Sequence, residues 1–193
     1  MFGFNKKKRL IEGPVEFEAE VEIDRPAAEV FGLIDLASPR CGLVQRGAHV
    51  TRVEGADNDY RLTSEESGEC VFHFHVIERV EAARHTAEVV MEPQLYALEK
   101  AIEAHEIEPI SEEACRVKLT TSATFDPTLS DEDVAGEIAV MSEAVMLDLE
   151  KLKLLAEDGV AAVKEFEDNQ MGIEIDLDGL DLDFDWSEIE PEN

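Results

Sequence analysis

Histidine is the side chain in this protein best suited to proton or metal chemistry near neutral pH, and two of the five histidines, His73 and His75, flank Phe74. On an extended strand such a pair shares one face and can reach one metal ion. A third ligand would have to come from elsewhere, and no zinc-type or other metal-ligand motif accompanies the pair. Phe72, Phe74 and Val76 form the more apolar alternate set, which predicts that both histidines face outward. No metal and no cofactor is therefore expected. His85 is different, because it is in phase with Ala87, Val89 and Met91 and is expected to point inward. It is the best candidate for acid–base work, against the plainer reading of a core-edge histidine with an ordinary hydrogen bond. Gly-x-Ser-x-Gly, a glycine-rich phosphate loop and His-Glu-x-x-His are all absent. The carboxylates are too numerous to pair by eye, and no catalytic residue is assigned.

The element that must position these residues runs from Ser130 to Asp168. Val134, Ile138, Met141, Val145, Leu149, Leu152 and Ala156 recur at spacings of three and four, one apolar stripe along an α-helix. Pro127 ends the preceding strand, Ser130 is placed to accept from an early backbone N–H, and Asp131, Glu132 and Asp133 put negative charge where the helix dipole favours it. Unbroken to Asp168, the helix would be about 57 Å long, more than a domain of this size is wide. A kink or projecting end is expected near Gly159.

Upstream the periodicity is that of strands. Val15–Ile23 alternates apolar residues with Glu16, Glu18, Glu20 and Glu22, a strand with one solvated face. Asp24 and Pro26 open a helix reaching about Asp35, and 36–47 is a loop or a short second helix. Six strands follow, at about 48–54, 60–64, 70–80, 84–92, 101–110 and 115–125, with separators mostly of hairpin length. The expected class is α+β, a curved antiparallel sheet of seven strands against the long C-terminal helix.

With 193 residues, 46 acidic against 17 basic and a formal charge of −29, the chain reads as one domain that repels nucleic acid and anionic membranes. No apolar run approaches the roughly 20 residues of a membrane span, so no stable membrane insertion is expected. Three cysteines without metal-ligand spacing suit a reducing compartment, and a cytoplasmic location is expected. The divisions read from composition are a basic arm at 1–14, a domain at 15–168 and an acidic tail at 169–193.

Val21–Ile23 followed by Asp24-Arg-Pro-Ala-Ala-Glu-Val-Phe31 and Leu33-Ile-Asp35 resembles the opening of the START-like, or Bet v 1-like, superfamily, which includes polyketide cyclases and lipid-transfer proteins. Val76-Ile-Glu-Arg-Val-Glu81 is similar to that family's strand before a hairpin. Tryptophan, found in many members in or just after the first helix, is missing here. The resemblance implies the helix-grip fold with a ligand cavity between sheet and long helix. Phe72, Phe74, His85, Met91, Tyr96, Met141, Val145 and Met146 are the expected lining. The function it implies is binding or transport of a small hydrophobic ligand or lipid. A cyclase-like enzyme is the first alternative.

A protein-interaction module acting through the tail is the second alternative. Ile173, Ile175 and Leu177 are odd-numbered and Leu180, Leu182 and Phe184 even, with the slip at Asp178-Gly179, a favoured two-residue turn. A hairpin over 173–186 would gather one apolar side and one repelling acidic side, suited to a basic protein partner. The plainer expectation for the tail is a disordered, solubilising segment.

Overall fold

The computed structural model describes residues 13–65, 67–94 and 97–171. Residues 1–12 of the basic arm, Tyr96 and the tail hairpin over 173–186 lie outside the described residues.

Among the described residues seven strands form one sheet: β1 (Val15–Ile23), β2 (His49–Arg52), β3 (Asp59–Thr63), β4 (Val71–Val80), β5 (Arg84–Glu92), β6 (Leu98–Pro109) and β7 (Cys115–Phe125). Their spatial order is β1-β7-β6-β5-β4-β3-β2, antiparallel throughout. Helices α1 (Ala27–Ile34) and α2 (Gly42–Gln45) fill the connection between β1 and β2. Helix α3 (Asp131–Glu157) lies mainly across β1 and β7, and α4 (Val160–Met171) folds back beside it.

Side-chain alternation explains which face each strand buries. Along β7 every odd-numbered residue is buried, and Val117, Leu119 and Ala123 meet Phe17 and Ile23 of β1 and Val134, Val145 and Leu149 of α3 in one core. Glu22 pairs with Arg116 at 2.6 Å and Glu18 with Lys118 at 2.7 Å on the opposite, solvated face, as the phases of the two strands require. The expected bounds hold for β1, β5 and β7. β6 starts three residues earlier than expected because Leu98 pairs with Phe125 through a register irregularity before Lys100.

The ends of α3 follow from local chemistry. Ser130 Oγ accepts from the Asp133 N–H while the Asp133 carboxylate accepts from the Ser130 N–H, a capping box that satisfies two donors at the helix start. At the other end the N–H groups of Asp158 and Gly159 both donate to Leu154 O, and Gly159 has φ +86°, a value glycine adopts without steric cost. The chain reverses there instead of projecting. Val163 of α4 then packs on Leu33 and Leu155.

Candidate functional site

The inner face of the sheet is not uniformly apolar where α1, α2 and the second half of α3 cover it. A pocket of about 130 Å³ opens there. Leu33, Ile34, Leu36 and Leu43 close one side, Phe74, Ala87 and Leu119 belong to the sheet, and Leu152 and Leu155 come from α3. Six ionisable side chains interrupt these apolar walls: His85 on β5, Glu103 and His105 on β6, Asp148 and Lys151 on α3, and Arg46 after α2.

Strand register puts the first three together. His85 lies directly opposite His105, and Glu103, two residues along β6 on the same face, sits between Ala87 and Thr121. Opposed side chains in such a ladder have Cβ atoms about 5 Å apart. The row continues across β4, where Arg79 is opposite His85 and forks onto the buried Asp35 carboxylate through Nε at 3.0 Å and Nη2 at 2.5 Å. A bulge between Val76 and Glu78 turns Arg79 toward this face.

Among the described residues nothing satisfies the two imidazoles of this row. His85 Nε2 and His105 Nδ1 are buried and have no hydrogen-bond partner. A buried polar atom left this way costs about 1–3 kcal/mol. Burial and the Asp148 carboxylate push Glu103 up to about 7. Burial, and to a smaller extent His85, takes His105 down to about 4. Burial also lowers His85 and raises Asp148, the latter against the pull of Lys151 and Arg46. By accessible area Glu103 and His105 are half-buried, whereas Asp148 is exposed.

Arg46 and Lys151 also line the pocket, and α4 engages both: Glu167 lies 3.5 Å from Arg46 and 2.9 Å from Lys151. A second depression of about 240 Å³ is lined by Arg25, Glu29, Arg40 and Gln45. Its polar groups already have partners, since Arg25 donates to Asp24 O and Glu157 O, Arg40 faces Glu29, and Gln45 donates to Arg40 O. It lacks the unmet hydrogen-bonding demand of the first.

Of the expected lining, Phe74 and His85 border the pocket. Phe72 and Met91 are half-buried, opposite one another on β4 and β5, and do not line it. Met141 and Val145 pack into the core between α3 and β1, nearer the helix start than the pocket. Met146 is 58% exposed, because one step beyond Val145 turns its side chain about 100° off the apolar stripe. Glu103, His105 and Asp148 were not anticipated. Glu103 and His105 share the phase of Ala101 and Ile107, which only the structure shows to be the buried one, while Asp148 falls at helical spacing between Val145 and Leu152.

The outward pair His73 and His75 does not converge on an ion. His73 meets Glu92 at 3.1 Å and His75 meets Asp59, each a separate cross-strand pair. Among the described residues no group of three or more His, Cys, Asp or Glu is placed to hold a metal. No described helix is long and apolar enough to cross a membrane.

A sheet in this strand order, gripping a long C-terminal helix, is the helix-grip fold of START-like, Bet v 1-like structures. No protein-family model and no curated protein matches the sequence. Among solved structures the chain is similar to Ara h 8.0201, with a TM-score of 0.51 and 15% identity over 80% of this chain and 97% of that one. It is similar to the di-domain ARO/CYC protein BexL from the BE-7585A biosynthetic pathway, with a TM-score of 0.54 and 20% identity over 82% of this chain and 48% of that one. An uncharacterized protein from Rhizobium leguminosarum gives a TM-score of 0.53 and 13% identity, over 74% and 94% of the two chains. Identities this low speak for the fold.

Proposed function

We propose that this protein binds a small ligand with a compact apolar body and a polar group, held in the pocket between α3, the α1–α2 connection and strands β4 to β7. The observation that carries the reading is the unmet hydrogen-bonding demand of His85 and His105 inside walls that are otherwise largely apolar. Size narrows the class. At about 130 Å³ the pocket is smaller than the roughly 300–1,000 Å³ of sites for drug-sized ligands, so a single ring suits it better than a long acyl chain. Benzyl alcohol is a suitable probe. It should shift the ring-proton NMR signals of His85 and His105, and Ala87→Phe, which fills the pocket from β5, should abolish the shifts while the circular dichroism spectrum is kept. No shift in the wild type, or equal shifts in Ala87→Phe, would refute the reading.

A second reading, cyclase-like acid–base catalysis, is favoured by one specific feature: a carboxyl at about 7 divides its time between acid and base near neutral pH. In it Glu103 takes a proton from a carbon beside a ketone, and the imidazoles donate to the enolate oxygen. Deuterium should then enter the α-positions of cyclohexanone in D₂O faster with wild type than with Glu103→Gln. Equal rates would rule it out.

A further inference from the structure

The charges around the pocket do not balance. Glu103 faces His105 on its own strand, His85 across β5, the uncharged Thr121 and Leu119 on β7, and Asp148 and Lys151 on α3. Arg46 joins from the end of α2, Glu167 from α4, and beyond His85 the Asp35–Arg79 pair cancels itself. Both imidazoles are kept neutral by burial. Three carboxylates, Glu103, Asp148 and Glu167, thus face two cations, Arg46 and Lys151. One negative charge is left over. It falls on Glu103, since Glu167 touches both cations and Asp148 feels both, whereas Glu103 has no cation acting on it. In the empty pocket a proton supplies the missing positive charge, and a ligand that brings its own displaces that proton.

We infer that the pocket takes a small organic amine, bound as a monocation between Glu103 and Asp148, with His85 Nε2 and His105 Nδ1 accepting from its N–H groups. This rests on the binding reading above and gives its ligand a chemical class. An ammonium is a group of donors only, and its three N–H groups can be accepted by any three of these four side chains. The apolar walls favour an amine carrying a ring over a bare ion, and the −29 charge of the chain favours cations at the pocket mouth.

The test uses one ring with three heads, measured by calorimetry on the full chain: benzylamine, benzyl alcohol and benzoate, with ammonium chloride for the bare cation. Benzylamine should bind about tenfold or more tighter than benzyl alcohol at pH 7. Near pH 6, paired runs in buffers of different ionisation heat should show close to one proton released per amine bound, with affinity falling about tenfold per pH unit below 7. Glu103→Gln should remove both the preference and the proton release. The wild-type proton count decides the matter even where that variant folds poorly. Benzyl alcohol binding as well as benzylamine, with no proton released, overturns the amine but keeps the pocket. Benzoate binding tightest assigns the head group to Arg46 and Lys151 instead. Ammonium chloride binding as tightly as benzylamine overturns an organic ligand, and no binding by any probe overturns both readings.

Discussion

His85 and His105 stand opposite one another on neighbouring strands, each with a buried ring nitrogen that no group among the described residues meets. Two imidazoles side by side in a poorly solvated pocket cannot both be charged at modest cost, and burial keeps them neutral.

That neutrality has a pH signature opposed by Glu103. His105 titrates at about 4 in the folded protein against an ordinary 6.5, so the unfolded chain takes up a proton first and stability is lost as pH falls from 6.5 to 4. Glu103 titrates at about 7 against an ordinary 4.5, so the folded protein holds the extra proton and stability rises as pH falls from 7 to 4.5. The two contributions largely cancel in the wild type. Glu103→Gln should make the protein lose, and His105→Leu should make it gain, on the order of 1–3 kcal/mol relative to wild type between pH 6.5 and 4.5. Urea denaturation across that range measures both slopes, and parallel curves for all three proteins would contradict the burial assigned to these groups.

The shared face of β1 and β7 separates core from surface energetics. Leu119 is 2% exposed and touches the main core, so Leu119→Ala should cost about 2–5 kcal/mol. Lys118, its outward neighbour, pairs with Glu18 in solvent. Lys118→Ala should cost far less, and the difference from wild type should vanish in molar salt, read from denaturation midpoints.

Both ends of α3 depend on one residue. Ser130→Ala removes a side-chain acceptor from the capping box and should cost about 0.5–2 kcal/mol. Gly159→Ala places a side chain at φ +86° and should cost about 1–2 kcal/mol. Amide exchange should localise the first effect to the start of α3 and the second to α4.

Gly42 ties the pocket wall to α3. A Cβ there would lie 2.7 Å from Leu155 Cδ2 and 3.2 Å from the Leu33 carbonyl oxygen. Gly42→Ala should force the Leu155 side chain aside, and with Leu155 lining the pocket, benzyl alcohol affinity should change severalfold while the sheet stays intact. Unchanged affinity would argue that α2 does not shape the site.

The fold was legible because its signals are local and repeated: the Glu alternation of β1, the Asp24–Pro26 helix start, Ser130, and the stripe from Val134 to Ala156. Most of the site was not. His85 stood out in a clean apolar alternation, but β6 carries Glu99, Glu103, His105, Glu106 and Glu108 on both faces, so its inward side cannot be told by counting. Asp148 belongs to a chain with 46 acidic residues, where one carboxylate on an apolar stripe is easily lost. The resemblance placed Met141 and Met146 in the lining, whereas Met146 faces solvent and Met141 packs against the core.

The largely apolar pocket with Glu103 in its wall is tested most directly by the titration of Glu103 itself, followed through its carboxyl carbon-13 shift from pH 4 to 9 and assigned with Glu103→Gln. The account predicts a midpoint near 7, moving down when benzylamine is added. A midpoint near the ordinary 4.5, unmoved by the amine, would mean that bulk water reaches the carboxyl and that the pocket is not the site described.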